Sequence, residues 1–153
     1  MVKISAFHGI KPANQFIDQV PTQPYSNYST SQREYEIKNN PHSFLNIITN
    51  KEHDNPKNKL LNIRKRIKDF KEKKILIKNE NKSLYIYRQT NQKHSYTGLI
   101  CAISLNDYAN NKIKAHEKTI INRELLFSEY LKTTKIYAEP VLITSKTDLT
   151  NIY

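Results

Sequence analysis

The sequence predicts an α+β fold in a single domain that spans residues 1–153. Three patterns carry this prediction: a basic amphipathic helix at about 57–74, a β-hairpin after it, and a helix–strand unit at about 121–144. A chain of 153 residues has the size of one domain, and it can bury a core without disulfides or metal ions.

Short elements separated by breaks make up the amino-terminal third. The alternation of apolar and polar residues in "VKISA" predicts a short strand, which ends in a turn at Gly9. A short helix is predicted at 31–38. The apolar run "SFLNII" at 43–48 fits either a buried strand or a turn of helix.

The clearest helix is "KNKLLNIRKRIKDFKEKK" at 57–74, because its apolar residues recur at steps of three and four. They form one stripe that we predict to face the core: Leu60, Ile63, Ile67 and Phe70. Nine basic and two acidic residues give the segment a net charge of +7. Such a face fits either a solvated outer surface or a contact with a nucleic-acid backbone.

Two β-rich segments follow, "KSLYIYRQT" at 82–90 and "SYTGLICAISL" at 95–105, and the short connection "NQKH" predicts a hairpin. Tyr85 and Tyr87 share one face, where they fit half-buried packing or a stacking platform for bases. Arg88 lies on the other face, as a surface arginine or as a group that reaches an anion. Cys101 is predicted to be a buried thiol.

The last predicted unit is a helix at 121–132 followed by a strand. The core candidates of this helix include Ile121, Leu125 and Leu131. The segment "AEPVLITS" at 138–145 predicts the strand, because a proline near its beginning is compatible with a strand start.

Composition restricts the classes of function. Twenty-five basic and 14 acidic residues give a net charge of +11, which favours anionic partners such as nucleic acid, phosphate metabolites or acidic lipid. With two glycines in all, the sequence has no Gly-rich phosphate loop. No secretory signal or membrane-spanning stretch is evident, so we expect a cytoplasmic protein with no membrane partner.

The segment "HEKTI" at 116–120 is the main candidate for chemistry. It resembles the start of a zinc-protease helix, but the second histidine is absent, so no metal site is predicted. Two alternatives stay open: Thr119 or Asn122 caps a helix, or Glu117 acts as a general base towards a hydroxyl. Nearby basic residues would attract an anionic substrate: Lys114, Lys118 and Arg123.

Seven segments, taken in order, resemble the amino-terminal half of the bacterial family called domain of unknown function 1015. They extend from Phe7 to Thr144: "FHGIKP", "QPYSNYS", "NPHSFLNII", "SLYIYRQT", "TGLICAISLNDY", "IKAHEKT" and "AEPVLIT". The sequence departs from the family at Ser26, where the family has an aspartate. It also departs at Ile120 and at 126–127, where many members have charged residues.

The resemblance implies a portion of a longer architecture, since family members carry a later aspartate-glycine-histidine-histidine-arginine run that this sequence does not contain. That run is similar to the phosphate-handling motif of the partition-protein/sulfiredoxin fold, which includes free-serine kinases. By this analogy Glu117 is the base that prepares a substrate hydroxyl, and a nucleotide is the implied cofactor.

We therefore expect part of a cytoplasmic small-molecule enzyme that handles a phosphate- or hydroxyl-bearing metabolite such as serine or phosphoserine. In this hypothesis Glu117 is the base, His116 orients it or is a second acid–base group, and Arg123 binds the anion. Further anion-binding candidates are Thr119, Lys118 and Arg88. The alternatives are a basic nucleic-acid-binding module and a non-catalytic scaffold.

Overall fold

The computed structural model describes residues 2–49, 55, 58–115, 120–138 and 140–144. Within them, short strands alternate with helices along the chain. The strands are β1 (Ile4–Ser5), β2 (Ile10–Pro12), β3 (Leu76–Lys78), β4 (Tyr85–Thr90), β5 (Ser95–Ile100) and β6 (Ala102–Ile103). The helices are α1 (Thr30–Asn39), α2 (Leu45–Ile48), α3 (Lys59–Glu72), α4 (Leu105–Ala109) and α5 (Ile121–Thr134). The predicted α+β class is confirmed.

The strands form three antiparallel pairs, β1 with β6, β2 with β3, and β4 with β5. Two of the pairs join distant parts of the chain, since Ile4 lies opposite Ile103 and Ile10 lies opposite Lys78. The third pair is the predicted hairpin, in which six residue pairs run from Tyr85–Ile100 to Thr90–Ser95. These two pairs, together with an isolated antiparallel bridge between Phe7 and Ser83, hold the amino-terminal segment against the middle of the chain.

The core lies along α3, as its apolar pattern predicts. Ile63, Ile67 and Phe70 are buried there, and Leu60 is partly buried against them. The run at 43–48 is a helical turn, in which Leu45 and Ile47 are fully buried. Within the described part of the chain, seven of the eight buried apolar residues form one cluster: Val20, Ile47, Ile63, Ile67, Phe70, Ile75 and Leu76.

The end of α3 directs the chain into β3. Lys74 adopts a left-handed conformation with φ 54°, and the Ile75 N–H donates to the Phe70 carbonyl at 2.9 Å. This bond pattern is a Schellman motif, in which residues on either side of the turn pack together. Phe70 and Ile75 are both buried, so the turn is stabilised by the same core that it helps to close.

One basic residue of α3 points inward rather than into solvent. The Arg66 guanidinium donates to the backbone carbonyls of Ile47 and Thr49, at 3.4 and 2.7 Å. These carbonyls lie at the end of α2, where the last C=O groups of a helix lack intrahelical partners. Arg66 therefore joins α2 to α3, and it does not belong to the exposed basic face.

The carboxyl-terminal part of the chain differs from the prediction in two respects. Ile121 and Leu125 are 72% and 63% exposed, because α5 packs on α3 through the side that carries Tyr130 and Thr134. Both core assignments are therefore wrong. Residues 140–144 of the predicted strand have no regular secondary structure, since no described strand pairs with them. Cys101 is half-buried rather than buried.

Candidate functional site

The candidate segment lies between two described parts of the chain. His116, Glu117, Lys118 and Thr119 themselves lie outside the described residues. The structure describes the chain up to Ala115 and again from Ile120, where α5 is about to begin. The site is therefore defined by its two flanks, one anchored by a buried carboxylate and the other by a helix start.

Asp107 anchors the first flank. It lies in α4, where the Ser104 hydroxyl caps the helix by accepting a hydrogen bond from the Asp107 N–H. The Asp107 carboxylate accepts a hydrogen bond from the Lys3 N–H and one from the Lys112 ammonium, each at 2.7 Å. Only 5% of the Asp107 side chain is exposed. This carboxylate fixes the chain at Lys112, shortly before His116.

The pKa of Asp107 is lowered from its ordinary value. The main cause is the hydrogen bond from Lys112, followed by the backbone hydrogen bond from Lys3, and burial opposes both. Two N–H donors to the charged form outweigh its desolvation. Asp107 is therefore a carboxylate at neutral pH and acts as a structural anion within the described residues.

The second flank is the start of α5. The N-cap residue is Ile120, which has no side-chain acceptor, so the cap position does not fall on Asn122. Whether Thr119 contributes to a cap lies outside the described residues. The first N–H groups of a helix have no intrahelical partner and carry a partial positive charge. This end of α5 therefore favours an anion.

Arg123 lies in the first turn of α5 and lines a shallow concavity of about 590 Å³. Glu124, Ser128 and two apolar side chains, Phe127 and Leu131, line the rest of it. Arg123 forms no ion pair among the described residues. The side chains that line the concavity thus provide a cation, a carboxylate, a hydroxyl and an apolar surface.

Arg88 lies elsewhere, in the middle of β4. It is exposed and pairs in register with Thr97 across the hairpin. In the described part of the chain, no hydrogen bond or ion pair joins Arg88 to Arg123 or to another side chain. The structure therefore gives no support for grouping Arg88 with the α5 site.

A cluster around Tyr85 was missed by the sequence analysis. The Tyr85 hydroxyl accepts hydrogen bonds from the Gly9 N–H at 2.9 Å and from the Asn79 amide at 2.7 Å, and its ring lies 5.1 Å from that of Phe7. A Cβ on Gly9 would overlap this hydroxyl. The separate segments "FHGIKP" and "SLYIYRQT" thus meet at Gly9. Because the sequence has only two glycines, the presence of one at position 9 was the signal that could have identified this contact.

His42 lines a second cleft, of about 290 Å³, between the α1–α2 region and α3. One ring nitrogen lies 2.7 Å from the Gln19 side-chain oxygen, and the ring packs edge-on against Phe16. Arg66, whose guanidinium bonds to carbonyls of the α2 end, also lines this cleft. These polar groups are already engaged, so the cleft is a weaker site candidate than the α5 concavity.

The described residues contain no group of three or more His, Cys, Asp or Glu side chains that could hold a metal ion. No helix among them is long and apolar enough to cross a membrane.

Comparison with known proteins identifies one family. A family model described as "Protein of unknown function (DUF1015)" matches residues 4–152, a range that includes both flanks and the segment between them. No curated protein and no solved structure matches the chain. Because the family model covers nearly the whole sequence, the chain belongs to the DUF1015 family.

Proposed function

We propose that this chain supplies the substrate-binding and proton-accepting part of a cytoplasmic small-molecule enzyme. Its substrate is a phosphate- or hydroxyl-bearing metabolite such as phosphoserine or serine. The observation that carries the proposal is the position of Arg123, which lies in the first turn of α5, only a few residues after Glu117, and lines a concavity along one face of this helix.

The two flanks support this assignment of roles. Arg123 and the first N–H groups of α5 offer two sources of positive charge to a phosphate or carboxylate group. Glu117 is the general base towards a hydroxyl, and His116 orients it or exchanges protons with it. Lys118 and Thr119 add a charge and a hydroxyl next to the base. Asp107 is a positioning residue, because it fixes the chain at Lys112.

A nucleotide is the cofactor implied by the analogy with serine kinases. The described residues offer it no Gly-rich loop, since the two glycines lie at positions 9 and 98 in separate strand regions. The proposal therefore assigns this chain the metabolite rather than the nucleotide. Arg88 is an outlying candidate, and the proposal does not depend on it.

Isothermal titration with phosphoserine, serine and inorganic phosphate tests the proposal. Arg123→Ala should weaken the binding of phosphoserine by at least about tenfold, because it removes a charge-assisted hydrogen bond. The matched control is Arg64→Ala, which removes an exposed arginine from α3 and should leave affinity unchanged. Equal affinity in the two variants, or no binding of any of these probes by the wild type, would contradict the proposal.

A further inference from the structure

We propose that one face of the β4–β5 hairpin binds single-stranded nucleic acid, with a base stacked over Gly98 between Tyr87 and Tyr96. This inference is independent of the α5 concavity and of the proposed enzyme. It is carried by the register of the hairpin, by the glycine in the middle of β5 and by the charge of the surrounding segment.

The register places these three residues on one face. Tyr87 lies opposite Gly98, and Gln89 lies opposite Tyr96. Side chains alternate between the two faces of a strand, so Tyr87, Gly98 and Tyr96 share a face and the tyrosines are diagonal neighbours. Diagonal partners have Cβ atoms about 7 Å apart, which is close to twice the stacking distance of bases and leaves room for one planar ring.

Gly98 is not required by the conformation or the packing of the hairpin. Among the described residues, no glycine has a positive φ, and a Cβ on Gly98 would meet nothing within 4 Å. Glycine weakens a strand interior and often marks a place where a ligand approaches the backbone closely. Gly9 differs, since its lack of a side chain admits Tyr85. The space above the Gly98 backbone is therefore open.

The tyrosines are exposed enough to accept a base. Tyr87 is 54% exposed and Tyr96 is 63% exposed, whereas Tyr85 on the same face is held by Gly9 and Phe7. Tyr85 is partly buried, as the packing alternative predicts, whereas Tyr87 belongs to the exposed side chains. The ring of His94 lies 6.1 Å from that of Tyr96 and extends the aromatic surface towards the hairpin tip.

The charge of the hairpin matches a phosphate backbone. No acidic residue occurs in residues 81–106. Of the three basic residues in this segment, Lys82 precedes β4, Lys93 lies in the connection between the strands, and Arg88 lies on the opposite face of the hairpin. Cationic side chains supply affinity for any nucleic acid, and aromatic rings add affinity for bases whose faces are free. The space between Tyr87 and Tyr96 therefore selects single strands over duplexes, in which the base faces are already stacked.

The test is a fluorescence-anisotropy titration with labelled oligothymidylate, oligouridylate and a duplex. Gly98→Val should weaken binding of the single strands by at least about tenfold, because its side chain fills the stacking space. The matched control is Thr97→Val, which places a valine on the opposite face of the hairpin and should bind like the wild type. Thermal unfolding should place Gly98→Val at or above the wild-type Tm, since valine favours strands.

An abasic oligomer of the same length separates stacking from charge. The wild type should bind it at least about tenfold more weakly than oligothymidylate, and Tyr96→Leu should reduce that difference. Stronger binding of oligouridylate than of oligothymidylate would identify RNA as the single-stranded ligand, and the reverse would identify DNA. The proposal is overturned if Gly98→Val and Thr97→Val bind oligothymidylate equally, or if the duplex or abasic oligomer binds as well as the single strands.

Discussion

Asp107 shows how one side chain connects three parts of the molecule. Its carboxylate joins the backbone at Lys3, beside β1, to the ammonium of Lys112 beyond α4. A buried carboxylate with two such donors is stabilised in its charged form. The position of Lys112 therefore depends on this charge.

Asp107→Asn should destabilise the fold in a pH-dependent way. The folded-state pKa is lowered, so the carboxylate contributes stability that is present above the ordinary aspartate pKa of about 4. This contribution is lost as the pH falls through the lowered pKa of the folded state. The difference in free energy of unfolding between wild type and variant, measured by urea titration, should therefore be largest near neutral pH and shrink below about pH 4.

Asp69→Asn is the control for this prediction. Asp69 pairs with Lys73 at 2.9 Å on the exposed face of α3, and 48% of its side chain is accessible. Exposed pairs contribute little, roughly 1 kcal/mol or less, so this variant should unfold much like the wild type. An Asp107→Asn effect that is the same at every pH would show that packing rather than charge is responsible.

Part of the Asp107 anchor could be predicted from sequence and part could not. Ser104 followed three residues later by Asp107 has the spacing of a helix start, so α4 was detectable in principle. The bond to Lys3 could not be predicted, because nothing local in either segment indicates a partner more than a hundred residues away. The same limit applies to the Tyr85–Gly9 contact.

At the scale of elements, α3 is the central support of the fold. Its apolar residues recur with helical spacing, its buried face forms the core, and α2, β3 and α5 all contact it. Because the period of the pattern and the period of the helix agree, sequence alone identified the buried face correctly.

Ile67→Ala tests this role. Ile67 is 4% exposed, so its truncation should lower the free energy of unfolding by about 2–5 kcal/mol, as measured by urea titration. Leu61→Ala is the control on the same helix, since Leu61 is 53% exposed and its truncation should cost about 0.5 kcal/mol or less. Similar losses in both variants would mean that the buried face of α3 has been assigned incorrectly.

The other elements show where local patterns stop being sufficient. Apolar residues occur on several sides of α5, so its sequence did not determine which side faces α3, and Ile121 and Leu125 were misassigned. The segment 140–144 has strand-forming residues, but a strand requires a neighbour for its backbone groups. No described strand lies beside it, and its sequence carries no information about that neighbour.

At the scale of the whole molecule, long-range pairing brings the family's separate segments together. β1 with β6 and β2 with β3 hold the amino-terminal segment against residues that follow the core helix. The chain that leaves β6 then passes through α4 and Asp107 towards the candidate site. The proposed site and the hairpin face lie on different elements, so they can be tested separately.

The most direct test of the proposed site is an isothermal titration of serine into the wild type and into the Glu117→Ala and Arg64→Ala variants, because the proposal assigns the metabolite to this chain. We predict that Glu117→Ala weakens serine binding by at least about tenfold, because the proposed base accepts a hydrogen bond from the substrate hydroxyl. Arg64→Ala should bind serine like the wild type. Equal affinity in the two variants, or no binding of serine by the wild type, would contradict the account.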